Sequence, residues 1–142
     1  MSQTAMTRTL TVLLVEDDPG DALMIEEALL DRERGHTLCR VADGMEALEW
    51  LRTHARPDLV ILDLNMPRMD GREVLSAMKA DERWRTIPVV VLSTSAAPDD
   101  VRRSYDLHAN AFVTKPVELE SFLEAVRGID EFFLSLVTLP RG

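Results

Sequence analysis

Three short apolar runs stand out along the chain, none of them alternating with polar residues: Leu10 to Val15, Leu59 to Leu62, and Ile87 to Leu92. Short runs rich in Val, Ile and Leu are how parallel strands read when both of their faces are covered. Two weaker runs, Thr37 to Val41 and Ala111 to Val113, complete a set of five. Between the runs the spacing becomes helical. After Pro19 the apolar positions are Ala22, Ile25, Leu29 and Leu30, with Asp18 placed as an N-cap and Pro19 at the first helical position. Asp43-Gly44 precedes a helix carrying Ala47, Leu48 and Leu51, and Gly71 precedes one carrying Val74, Leu75 and Met78. Pro98-Asp99-Asp100 opens a fourth, with Val101, Tyr105 and Leu107 expected to face inward. The fifth begins near Val117-Glu118 and is expected to run to about Val137. Strand and helix alternate five times. That alternation predicts an α/β domain with a parallel sheet and helices on both faces.

Acidic residues fall where such a sheet builds its sites. Glu16, Asp17 and Asp18 follow the first strand, and Asp63 follows the third. In an open α/β sheet, ligands bind outside the carboxyl ends of the strands, at the point where strand order reverses. With the flavodoxin-like order 2-1-3-4-5, strands one and three are neighbours and Glu16, Asp17 and Asp63 converge. Carboxylates crowded together repel, and a hard divalent cation with oxygen ligands relieves the repulsion. Mg²⁺ suits a few carboxylates completed by water and phosphate. Ser93 follows the fourth strand and Lys115 the fifth, so a hydroxyl and an ammonium join the same edge, as a phosphoryl group requires. Each of these residues taken alone reads as a helix cap or a solvated loop residue; Asp18 is best read that way. Lys115-Pro116 is a candidate cis peptide, with an ordinary trans proline as the alternative.

Composition narrows the classes. The chain has 142 residues and is 46% hydrophobic, enough for one domain with a full core. A net charge of −9 argues against sequence-independent binding to nucleic acid. The single cysteine, Cys39, gives no internal disulfide and reads as a small apolar residue in the second strand. The first nine residues lack the apolar core of a signal peptide, and no run is long enough to span a bilayer. A cytoplasmic protein without membrane association is the expectation. His36, His54 and His108 lack metal-ligand spacing. No Gly-rich phosphate loop follows the first strand, which argues against nucleotide binding. Trp50, Trp84, Met66, Met69 and Met78 are expected to pack.

Four segments together resemble the receiver domains of two-component response regulators. They are Val12-Leu13-Leu14-Val15-Glu16-Asp17-Asp18, then Asp58 to Gly71 with Asp63-Leu64-Asn65-Met66-Pro67 at its centre, then Ile87 to Ser93, and Lys115-Pro116. The resemblance covers Leu10 to about Arg127. Ser104 to Pro116, and the tail from Ile129 to Pro140, are further similar to single-domain regulators paired with bacterial and cyanobacterial phytochromes. The resemblance implies a CheY-like doubly wound sheet and a protein phosphorylated by a sensor histidine kinase, one that assists its own phosphorylation and dephosphorylation and is not an enzyme. It implies that Asp63 is the phosphoacceptor, that Glu16, Asp17, Asp63 and the backbone carbonyl of Asn65 hold Mg²⁺, and that Ser93 and Lys115 bind phosphoryl oxygens. It implies that Phe112 is the aromatic residue that turns inward on activation. Asn65 and Ser95 stand where the family tunes the lifetime of the phosphorylated state. Two positions depart from the commoner pattern: Glu16 stands for Asp, and Ser93 for Thr.

The organisation expected is a disordered tail over 1–9, a receiver domain over 10–127 and a helical extension over 128–142. The extension carries Ile129, Phe132, Phe133 and Leu136 at helical spacing, more apolar surface than a monomer normally exposes, and is expected to form a two-fold dimer. Gly128 is placed to kink or end the helix before it. Too little chain follows Pro116 for a helix-turn-helix unit, so output is expected through a partner or by relaying phosphate to another protein. The rival enzyme reading, an aspartate-nucleophile phosphatase, requires Asp-x-Asp after the first strand, where this chain has Glu16-Asp17.

Overall fold

The three strongest apolar runs become adjacent strands at the centre of a parallel sheet. In this computed structural model, which describes residues 10–30, 36–64, 66, 69–94, 97–116 and 118–131, the strands are β1 (Thr11–Val15), β2 (Thr37–Val41), β3 (Leu59–Leu62), β4 (Val89–Ser93) and β5 (Ala111–Thr114). The helices are α1 (Pro19–Leu30), α2 (Gly44–Thr53), α3 (Gly71–Ala80), α4 (Pro98–Asp106) and α5 (Leu119–Glu131). Strand order is β2-β1-β3-β4-β5, and every neighbouring pair is parallel. All of β3 and β4 is buried, while β2 and β5, at the two edges, are only partly covered. The weaker apolar character of those two runs is therefore an edge effect.

Alternate residues along the central strands feed two cores. Leu13, Val15, Val60, Leu62, Val89 and Val91 meet Ala47, Leu51, Val74, Leu75 and Met78 on the face covered by α2 and α3. Val12, Leu14, Leu59, Ile61, Val90 and Leu92 meet Ile25, Leu29, Phe122, Val126 and Ile129 on the face covered by α1 and α5. Because both faces are apolar, hydrophobicity alone does not set the strand register. The strand ends do. At the amino end, the Asp58 N–H donates to Thr11 O (2.8 Å), and the Thr11 N–H donates to the Asp58 carboxylate (2.9 Å). At the carboxyl end, the Glu16 N–H donates to Val41 O (3.1 Å) and the Asp63 N–H to Val15 O (3.0 Å). The pairing that aligns Val15 with Leu62 thus delivers residues 16 and 63 to the same rim.

Helix starts follow their capping chemistry. The Ala22 N–H donates to Asp18 O (2.9 Å), which confirms Asp18 at the head of α1 with Pro19 first inside. Asp43 caps α2 by accepting from the Glu46 N–H (2.9 Å). Asp70 and Glu73 form a reciprocal capping box at α3, so Gly71 is the first helical residue and not the one before it.

Three expectations are corrected. Tyr105 does not face inward: it is 49% exposed, because Ser104 occupies the buried phase of α4, and its hydroxyl accepts the Phe112 N–H (3.2 Å). Gly128 does not end the last helix. It lies inside α5, which crosses the expected boundary at 127/128 and continues to Glu131. Ile129 is 4% exposed within the chain's own core, so it is not available as a contact for a second copy. Phe132, Phe133, Leu136 and the tail over 1–9 lie outside the described residues. The Lys115–Pro116 bond is trans. Among the described residues no helix is long and apolar enough to cross a membrane.

Candidate functional site

Three carboxylates meet at the carboxyl ends of β1 and β3. One oxygen each from Glu16, Asp17 and Asp63 lie within 4.8 Å of one another. Glu16 and Asp63 are buried, and Asp17 is partly covered. Like charges at this separation destabilise the site unless a cation joins them. A small cation with oxygen ligands fits this donor set.

One protein cation already reaches the rim. Lys115 leaves the end of β5 and crosses the site: its Nζ donates to Glu16 Oε1 (2.7 Å) and Asp21 Oδ2 (2.9 Å), and lies 4.0 Å from Asp63 Oδ2. The lysine side chain is only 5% exposed. Its backbone N–H donates to Ser93 O (2.6 Å), which ties β5 to the fully buried Ser93 at the end of β4. The second Glu16 oxygen, Oε2, accepts the Asp18 N–H (3.2 Å). Both oxygens of Glu16 therefore have protein donors.

The charges at the rim shape its protonation. Burial pushes the Glu16 carboxyl above its usual range, against the opposing pull of Lys115 and the Asp18 N–H. Burial also acts to lower the Lys115 ammonium, but its hydrogen bonds to Glu16 and Asp21 and the charge of Asp63 outweigh it and leave the group raised. Both groups shift toward the protonated form, Glu16 chiefly through burial and Lys115 through its carboxylate partners.

The loop after Asp63 is held by glycines. A β-carbon on Gly71 would overlap the carbonyl oxygen of Asp63 and approach Leu64 Cα at 2.7 Å. The Gly71 N–H donates to Leu64 O (2.9 Å), closing the loop onto α3. A β-carbon on Gly44 would overlap the Met69 carbonyl oxygen at the other end of the same loop.

Residues 12–127 match the response regulator receiver domain. The chain belongs to that family. It is 42% identical over 135 residues to the response regulator Rcp1 of Synechocystis, covering 91% of this chain and 92% of that protein. Its structure is similar to the crystal structure of the phosphorylated cyanobacterial phytochrome response regulator RcpA, with a TM-score of 0.92 and 46% identity over 94% of this chain and all of that one. It is also similar to Rcp1 in its Mn²⁺-bound form, with a TM-score of 0.89 and 41% identity over 93% of this chain and 99% of that one. The receiver domain acts as a phosphoacceptor in two-component signalling, works with a sensor histidine kinase and binds a divalent metal.

Of the receiver residues named from the sequence, Glu16, Asp17, Asp63 and Lys115 converge directly, and Ser93 joins them through the backbone of Lys115. Phe112 stands on β5, half-buried, against the core on the α2 and α3 face. Asn65 and Ser95 lie outside the described residues. Sequence reasoning missed two residues of this receiver rim. Asp21, in the first turn of α1, is the second carboxylate on Lys115, though acids near a helix start are ordinary. Arg40 donates from Nε to Glu16 O (3.0 Å) and from its terminal nitrogen to Asp17 O (3.2 Å), bracing the acidic loop from β2.

Proposed function

We propose that Asp63 is the phosphoacceptor, that Glu16, Asp17 and Asp63 hold Mg²⁺ with the Asn65 carbonyl as a further ligand, and that Ser93 and Lys115 engage the phosphoryl oxygens. The observation that carries this reading is the Asp63 carboxylate, set among two other carboxylates and 4.0 Å from the Lys115 ammonium. One Asp63 oxygen attacks the phosphorus of a kinase phosphohistidine. The P–N bond breaks, the imidazole leaves, and an acyl phosphate forms on Asp63. Mg²⁺, when bound, supplies charge neutralisation to the carboxylates and the transferring group. Lys115 then pairs with a phosphoryl oxygen and the Ser93 hydroxyl donates to another. Phe112, on the strand that leads into Lys115, turns inward as the switch. The size of such a population shift is limited by the difference in phosphoryl contacts between the two states.

The kinase is proposed to be a bacteriophytochrome, supported by the similarity to the cyanobacterial phytochrome response regulator RcpA. Relay of the phosphate to another protein is the alternative output. Radiolabel transfer from a phosphorylated bacteriophytochrome in the presence of Mg²⁺ tests the reading. Label is expected on the wild type and not on Asp63→Asn; equal labelling of the variant overturns the assignment.

The division into a receiver over 10–127 and a dimerising extension over 128–142 is proposed with one change: Ile129 serves the core, leaving Phe132, Phe133 and Leu136 as the contacts. The apolar character of these positions supports a two-fold dimer in a cytoplasmic protein. Phe133→Glu with Leu136→Glu is expected to sediment as a monomer, and an unchanged dimer refutes the interface.

A further inference from the structure

We infer that Asp21 is a positioning residue for Lys115. This rests on the reading of Asp63 and Lys115 just given and extends it. An ammonium has three N–H donors. Glu16, at 2.7 Å, and Asp21, at 2.9 Å, take two of them from different elements, the end of β1 and the first turn of α1. The third is left for the Asp63 side, where the nearest carboxylate oxygen is 4.0 Å away. That separation is too long for a hydrogen bond to Asp63 itself. It leaves room for the ammonium to meet an oxygen of a group built on Asp63.

Two anchors do what one cannot. A lysine side chain has a flexible four-carbon stem, and a single ion pair leaves it free to swing about its partner. A second carboxylate on another element fixes the ammonium at the crossing of two directions. Glu16 cannot hold the lysine alone, because it also faces the metal cluster. Asp21 stands outside that cluster and is the more solvent-exposed anchor, at 25% against 2% for Glu16. Its carboxylate is therefore available to the lysine whatever the metal cluster holds. The head of α1 directs Asp21 to the rim: the Asp18 carbonyl accepts the Ala22 N–H (2.9 Å), which starts the helix with Asp21 in its first turn.

The test is a cycle of four proteins: wild type, Asp21→Ala, Lys115→Ala and the double variant. Each is phosphorylated by radiolabelled acetyl phosphate at saturating Mg²⁺, with folding checked by circular dichroism. Asp21→Ala is expected to slow labelling about tenfold, the usual scale for losing a charge-assisted contact that acts on the transition state. In the Lys115→Ala background the same change is expected to have no further effect. Asp21→Glu, which keeps the carboxylate, is expected to restore most of the rate. Should Asp21→Ala unfold, Asp21→Asn takes its place in the cycle. An equal slowing by the Asp21 change in both backgrounds, or no slowing in either, overturns the inference while leaving Asp63 as phosphoacceptor. Absence of label on the wild type instead removes the phosphoacceptor reading itself, and an unchanged rate in Lys115→Ala removes the role of the lysine.

Discussion

Gly71 packs its α-carbon against the backbone of Asp63 so closely that a β-carbon would overlap the Asp63 carbonyl oxygen. Backbone atoms cannot move aside as a flexible side chain can. Gly71→Ala is expected to destabilise the fold by about 1–3 kcal/mol, the usual scale of overpacking, and to slow phosphorylation by shifting Asp63. Gly128 is the control. It lies inside α5 with nothing within 4 Å of a β-carbon. Gly128→Ala is expected to stabilise by roughly 0.5–1 kcal/mol through helix propensity. Urea unfolding of both variants reads the opposite signs, and a stabilised Gly71→Ala would contradict the packing described.

Charge crowding makes a second expectation. Without divalent cations, Asp17→Asn relieves repulsion at the rim and is expected to raise stability by about 1 kcal/mol. Mg²⁺ at 100 times its dissociation constant is expected to stabilise the wild type by about 2.7 kcal/mol. The Asp17 variant should show little of that gain. Thermal melts with and without chelator check both statements, and the idea fails if Mg²⁺ stabilises the two proteins equally.

Lys115→Met leaves the buried Glu16 carboxylate without its ammonium partner. Removing one member of a buried pair costs about 3–5 kcal/mol. The pH dependence has a definite sign. Folding raises the Lys115 ammonium above its usual 10.5, so its contribution is fully present below that pH and is lost as pH rises through the higher folded value. The stability gap between wild type and variant should stay level through neutral pH, narrow in strong alkali as Lys115 loses its proton, and narrow again in acid as Glu16, pushed up by burial, takes one and no longer needs the ammonium. A gap that persists undiminished in strong alkali would point to a different origin.

At the turn after α3, Arg83 holds the Asp81 carboxyl down to about 2 through its side-chain and backbone hydrogen bonds. A lowered carboxyl contributes above its unfolded value, near 3.8, and loses that contribution as pH falls toward 2. Arg83→Ala removes the side-chain partner and should bring the Asp81 midpoint back toward 3.8. Carbon chemical shifts followed through an acid titration measure the midpoint directly.

Much of this was legible because the fold concentrates its signals. Covered strands need unbroken apolar runs, so β1, β3 and β4 announced themselves, and strand ends then located Glu16, Asp17, Asp63, Ser93 and Lys115 without any structure. The rest was hidden for physical reasons. Asp21 shares its sequence neighbourhood with other acids at the head of α1, and only its contact with a lysine 94 residues away distinguishes it. Arg40 works through backbone carbonyls, which leave no pattern in side-chain chemistry. Tyr105 was misplaced because one step along a helix turns a side chain by about 100°, and Ser104, not an apolar residue, holds the buried phase. Ile129 looked like surplus surface because α5 continues through Gly128, which extends the helix's own buried stripe by a further turn.

The strand that carries Phe112 and leads into Lys115 is the least sheltered at its end of the sheet, with no residue of β5 fully covered. Its neighbour β4, by contrast, is enclosed along its whole length. A tug on the ammonium is therefore applied to a margin that can yield, while the acids opposing it sit on a foundation that cannot. Movement started by the chemistry is expected to spread outward along that margin, where a partner protein could meet it.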